Sequence, residues 1–435
     1  MTGTPFLTAV DDSRLNIRGS RDPLGLVPLW GNLGRRVVGN LTTATTSVRG
    51  FTAMMLGYYF AEEFAPGGRD SAAFRLKAFL KFEQLSGYAR WHVNEDGDLR
   101  GITEVRRRLL EQDTIRIAAD SSGQILSNQK TYGLWGLYTM PARASGLISP
   151  DELTLTPLAR GFVEKQVLGV LRKAKTDAEK RVGDILKQER ADIEPDGRDS
   201  GLLAALAKTL SPEFSNDERR FYRDYLVLGD AGTCEWQATF AKMVEDFLPP
   251  GEEFCLKHLA ELIKRAGRSG ESDLASHLQS IRDLEALLVP LASLFSYLQA
   301  RDGARVNAVV ADLAKAWGKG LAHIDASAID GLGDAITRVY GDALAARRFS
   351  DTATALRTGD FREAVTLCLE HNAFVMRSRG GAEPWVVAAD GRLDVRYRDD
   401  DTGDLAGGKE LAGAWRNSFY LDPLKVIADQ LRGPE

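Results

Sequence analysis

The chain has 435 residues, 44% of them hydrophobic and 27% charged, with a formal net charge of −5. That length exceeds what one hydrophobic core usually supports, so two or three domains are expected. The composition is that of an ordinary globular protein and excludes a disordered, fibrous or disulfide-dense chain. No window approaches the ~18 uninterrupted apolar residues of a membrane span, and the nearest run, Phe51 to Phe60, is too short. No basic stretch precedes an apolar one at the N-terminus, so a cytoplasmic protein without a membrane partner is expected.

Cys234, Cys255 and Cys368 are scattered and odd in number, which argues against a disulfide framework. Cys255 and His258 form one C-x-x-H with no second half, so no metal or cofactor is expected. Charge is uneven. Residues 1–173 hold 22 Lys and Arg against 17 Asp and Glu, while the remainder has ten more acidic than basic residues. A positive front suits contact with a polyanion, and it suits equally the docking of one part on another.

In chain order, residues 1–30 carry Pro23, Gly25 and Pro28 and read as an irregular surface segment. Arg35, Arg36, Thr42, Thr43, Thr45, Thr46 and Arg49 form either a phosphate-contacting patch or a loop whose hydroxyls cap a helix. The loop is the better reading, because no Walker sequence occurs in the chain. Helices are predicted over 48–64, with one apolar face, and over 74–85. Residues 94–98 resemble a calcium loop but lack the bidentate Glu at the twelfth position, so they read as a turn. Thr103 opens a short helix carrying Arg106 to Arg108, and Ile115 to Ala118 reads as a strand.

The densest pattern follows. Ser127 or Asn128 can cap a helix through Trp135 and Tyr138, which Pro141 would kink or split and Gly146 can end. A tight turn and short strand span 148–155, then Thr156 caps and Pro157 begins a second helix. Helix, hairpin wing and helix are the local grammar of a winged helix. Residues 168–190 read as a charged exit helix and 192–199 as a linker. Beyond it helices are predicted over 202–210, 215–228, 234–247, 252–266, 273–299, 306–317, 324–346 and 360–377, the 273–299 stripe being core. A β-hairpin over 377–397 and a helix over 411–430 close the chain.

The fold class expected is therefore mainly α with small β elements. Its predicted parts are a winged-helix-containing domain (1–190), a helical domain (200–376) and a hairpin with closing helix (377–435) packed on it.

Three stretches together resemble a group of prokaryotic proteins found in mobile anti-phage defence gene clusters. They are Asp22-Pro-Leu-Gly-Leu with Gly39-Asn-Leu-Thr-Thr-Ala-Thr and Arg49-Gly-Phe, then Gly146-Leu-Ile with Leu155-Thr-Pro, and finally Arg379-Gly-Gly-Ala-Glu-Pro-Trp with Leu393-Asp-Val-Arg-Tyr-Arg-Asp and Trp415-Arg-Asn-Ser-Phe-Tyr-Leu. The resemblance covers both ends of the chain and leaves the helical middle unmarked. It implies a non-enzymatic DNA-binding or scaffolding subunit beside an ATPase, helicase or nuclease, and it brings no catalytic residues.

The residues chosen for duplex DNA are Lys130, Thr139 and Arg143 on the presumed recognition helix, with Arg35, Arg36, Arg49, Arg106 and Arg107 as further contacts. Two alternatives stand beside DNA binding: a protein-interaction scaffold, and a metal-dependent nuclease. The nuclease reading is the weaker, because Glu383, Asp390 and Asp394 are followed by Arg396 where a lysine is wanted. His92, His258, His277, His323 and His371 read as structural or exposed.

Overall fold

The structure, a computed structural model, describes residues 22–66, 71–173, 177–229, 234–398 and 403–432. It is mainly helical, with two small antiparallel two-stranded sheets, the fold class expected. The chain divides into two compact units, each discontinuous in sequence. One joins Arg35–Glu253 to Tyr420–Glu435, the other Met1–Gly34 to Phe254–Phe419. The boundary drawn at 190–200 falls inside the first of these, and the 377–435 tail is shared between both rather than forming a part of its own.

The Arg35–Glu253 unit is built on the Val48–Glu63 helix. Ser47 caps it by accepting from the Gly50 amide, and every residue from Val48 to Ala61 is buried. The single apolar face expected here is therefore a correction: the helix is enclosed on all sides. Glycines permit that enclosure, since a Cβ on Gly50 would lie 2.6 Å from the Tyr138 ring. The Ser71–Asn94 helix packs along it and runs well past the predicted 74–85. Tyr58, Phe79 and Trp135 meet with ring centroids 5.0–5.1 Å apart. Each large side chain buried in this way contributes roughly 1.5–3 kcal/mol.

Ile115–Ala118 is a strand as expected, and its partner is Arg190–Ile193, with Ile115 opposite Ile193. Residues 190–199 are thus neither helix end nor linker. Asp199, 1% exposed, accepts from Arg181 Nε at 2.7 Å and from the Glu194 amide at 3.0 Å, pinning the turn. A segment rich in Pro, Gly and Asp reads as a linker until its carboxylates find internal donors.

In the Phe254–Phe419 unit the Ser272–Gln299 helix supplies the core, burying Leu284, Leu287, Leu288, Leu291, Leu294 and Leu298 as predicted. The segment expected to be irregular instead holds a helix, Leu26–Arg35. Asp22 starts it, its two carboxylate oxygens accepting from the Leu26 and Val27 amides at 2.9 Å. Pro28 lies in the first turn, where a helix has no use for the missing N–H. Asn372 donates to the Pro23 carbonyl and accepts from the Trp385 amide, tying this segment to the C-terminal hairpin. That hairpin, Val386–Ala389 with Arg392–Val395, turns through Asp390 and Gly391, both at positive φ as a two-residue hairpin loop demands.

Two predicted helices are broken. Residues 324–346 contain Ala326–Gly331, Gly333–Tyr340 and the start of Ala343–Thr358, with Gly341 in the left-handed region between the last two. Residues 411–430 contain the end of Gly408–Gly413, then Leu421–Leu431, because Phe419 and Tyr420 take φ of 47° and 62°.

Candidate interaction site

The predicted winged-helix stretch starts from Asn128, whose side chain accepts from the Thr131 amide to cap Gln129–Tyr132. The helix breaks at Gly133, not at Pro141, which sits within the continuous Leu134–Ala144 helix. The reason lies on another element. Glu83, on the Ser71–Asn94 helix, accepts from the Leu134 amide at 2.6 Å and from Gln129 Nε2 at 2.8 Å. One buried carboxylate thus caps the second helix and holds the first. Burial pushes its pKa up to about 7, against the two hydrogen bonds that favour ionisation.

Gly146 takes φ of 69° and ends the helix as predicted. The wing is reduced to one isolated bridge, Ile148 opposite Leu155, flanked by the Ser149 amide on the Thr154 carbonyl and the Thr156 amide on the Leu147 carbonyl. Thr156 accepts from the Ala159 amide and Pro157 opens the next helix, both as expected.

Three of the seven cations expected at DNA, Arg35, Arg49 and Arg143, are spent inside the fold. Arg49 is 4% exposed; it pairs with Glu218 at 2.6 Å, donates to the carbonyls of Ser211 and Glu213, and stacks on Phe214. Thr139, 7% exposed, shares a hydrogen bond with Tyr58 and donates to the Trp135 carbonyl. Neither can reach a nucleic acid, which corrects both assignments. Arg35 closes its loop by donating to the carbonyls of Gly39 and Leu41 and stacks on Tyr420 at 3.7 Å. Thr42 and Thr45 bond to each other in that loop, the structural reading favoured from the sequence. Arg143 is half-buried and donates to the Ser149 carbonyl at the base of the wing. Arg107 is exposed but paired with Glu104 and Glu111. Arg36 and Arg106 are exposed and lie against Trp236 and Trp91. Lys130 is exposed. The structure therefore does not gather these eight residues into one basic surface.

Beside Lys130, Asp151 and Glu152, the stretch exposes four large apolar side chains. Tyr132 is 57% exposed and Met140 64%, with Leu153 on the wing and Leu158 on the helix after it at 38% and 41%. Gly136, Met140 and Arg143 follow at helical spacing, on a side away from the buried Leu134 and Tyr138.

A cavity of about 230 Å³ lies beside these helices, lined among others by Glu83, Ser86, Arg90 and Tyr138. Its buried charges are internally satisfied, Arg90 by Asp96 and the Asp98 carbonyl, Glu83 as described. In the other unit, Arg396 pairs with both Glu383 and Asp394, so two of the three acids considered for a nuclease serve a surface ion-pair cluster, and the third, Asp390, sits in the hairpin turn. The acidic residues 399–401 lie outside the described residues. Among the described residues no group of three His, Cys, Asp or Glu is placed to hold a metal, and no helix is long and apolar enough to cross a membrane.

No known family, no curated protein and no solved structure matches this chain.

Proposed function

We propose that this protein is a non-catalytic subunit of a prokaryotic multi-protein defence assembly, and that it docks a partner protein through the apolar side of residues 129–158. One observation carries the reading: the cations of this stretch turn inward or are few, while Tyr132, Met140, Leu153 and Leu158 are open to solvent. Tyr and Met are enriched at protein interfaces, and large apolar side chains left open to solvent gain from being covered by a partner. The partner class, an ATPase, helicase or nuclease encoded nearby, rests on the resemblance stated above.

Co-expression with the products of the neighbouring genes tests the proposal. Met140→Asp with Tyr132→Ser is expected to weaken co-purification at least tenfold, whereas Lys130→Glu leaves it intact. Retention of the complex by the double variant would overturn it.

Duplex DNA contact is the second reading, favoured by exposed Lys130, Arg36 and Arg106 and by the positive balance of residues 1–173. It predicts binding that weakens steeply with salt as counterions are released. A gel shift at two ionic strengths decides, with Lys130→Glu as the variant that should abolish it.

A further inference from the structure

The Phe254–Phe419 unit contains a cleft that none of the preceding argument uses. Two cavities, of about 860 Å³ and 620 Å³, adjoin through Ala322, His323 and Ala412. Pockets for small molecules fall in this size range. We infer that this cleft binds a phosphorylated small molecule, its phosphate held by Lys257, Arg282 and Arg357 and its body lying in the arm lined by Leu321, Gly407 and Gly408.

The charges in the larger cavity are divided in a telling way. Its acids are occupied. Asp325 accepts from the Ser327 and Ala328 amides, and Asp283 accepts from Gln279 Nε2 at 2.7 Å. Burial, and then the neighbouring Asp325, push the Asp283 pKa up. Its cations are not occupied. Lys257 and Arg282 make no ion pair or hydrogen bond among the described residues. Arg265, further along the helix that carries Lys257, pairs with Glu261. Arg357 spends only one nitrogen, on the Ile324 carbonyl at 3.2 Å.

Three more groups favour an anion. Lys257 stands in the first turn of the 13-residue Leu256–Arg268 helix, whose N-cap residue, Cys255, makes no side-chain cap. The Leu256 and Lys257 amides are therefore free donors at the positive end of the helix dipole. His323 lines both cavities, and its Nε2 is buried without a hydrogen-bond partner. A buried polar atom left unpaired costs about 1–3 kcal/mol, a cost that a ligand oxygen or hydroxyl would remove once the ring turns Nε2 into the cavity. The second cavity is the apolar arm. Glycines at 407 and 408 leave its wall without side chains beside Leu321 and the backbone of Trp317.

Calorimetric titration of the full chain, in chloride buffer free of phosphate and sulfate, tests this with three probes: inorganic phosphate, ribose 5-phosphate and AMP. Saturable binding is expected, with AMP at least tenfold tighter than phosphate. Lys257→Ala with Arg282→Ala should weaken AMP at least tenfold while leaving thermal unfolding unchanged, because both side chains are exposed. Lys257→Arg should retain binding. Gly408→Val, which fills the arm, should weaken AMP and spare inorganic phosphate. Absence of saturable binding by all three probes at millimolar concentration would overturn the inference, as would undiminished binding by the double variant. Equal affinity for phosphate and AMP would overturn the phosphorylated-molecule class and leave the anion alone as the ligand.

Discussion

The two units differ in where they leave positive charge unspent. In the Arg35–Glu253 unit, cations act as staples: Arg35, Arg49, Arg108 and Lys81 each donate to backbone carbonyls of loops or helix ends. In the Phe254–Phe419 unit, Lys257 and Arg282 stand over a cleft and hold nothing. Residues 1–173, where the positive sequence balance lies, therefore offer less of their charge than the count suggests, while Lys257 and Arg282, from the acidic remainder of the chain, stay unpaired. Charge counted along a sequence is not charge presented at a surface, because a guanidinium's five donors can be absorbed by carbonyls that folding would otherwise leave unpaired.

The sharpest way to break that contrast is Arg49→Ala. It strands Glu218 and two carbonyls, so urea denaturation should show a loss of about 3–5 kcal/mol. Lys130→Ala, at another of the positions selected for DNA, should stay within about 0.5 kcal/mol. Equal effects would erase the distinction between staple and surface.

The next effect separates the units by pH. His371, buried against Tyr340 and Phe349 and bonded to the Leu24 carbonyl, has its pKa pushed down to about 4 by burial. The unfolded chain takes a proton near the ordinary histidine value that the folded chain refuses. Stability contributed here is thus full above about pH 6.5 and falls as pH drops toward 4, by up to about 3 kcal/mol. Glu83, in the other unit, runs the opposite way. Its folded pKa of about 7 lies above the ordinary carboxylate value, so its stability is full below about pH 4.5 and is lost as pH rises through 7. His371→Leu should remove the acid-side loss, and Glu83→Gln the alkaline-side loss, in denaturation series from pH 4 to 8. Glu83→Gln also lowers stability at every pH, because an amide set between the Leu134 amide and Gln129 Nε2 places donor against donor. The smallest effect on stability belongs to Met140→Asp, within about 0.5 kcal/mol by the same denaturation, since its side chain is 64% exposed.

Local grammar was legible where one residue's chemistry decides the backbone. The Thr156–Pro157 helix start, the Gly146 stop, the Asp390–Gly391 hairpin and the apolar stripe of residues 284–298 all follow from such rules. Legibility ended where the deciding partner lies far along the chain. Gly133 breaks a helix because of Glu83, residues 190–193 form a strand because of Ile115–Ala118, and Asp199 fixes an apparent linker through Arg181. The same distance hid the site. Arg49 read as a surface cation until Glu218 was brought beside it, and Cys255, Arg282, His323 and Arg357 share no local motif yet line one cavity.

Hydroxyl-radical footprinting of the full chain, free and with its co-purifying partner, tests the central claim most directly. Met140 and Tyr132 should oxidise readily in the free chain, while buried Met54 and Met55 stay protected, and both should become protected in the complex. A Met140 already shielded in the free chain, or one left equally reactive in the complex, would contradict the account.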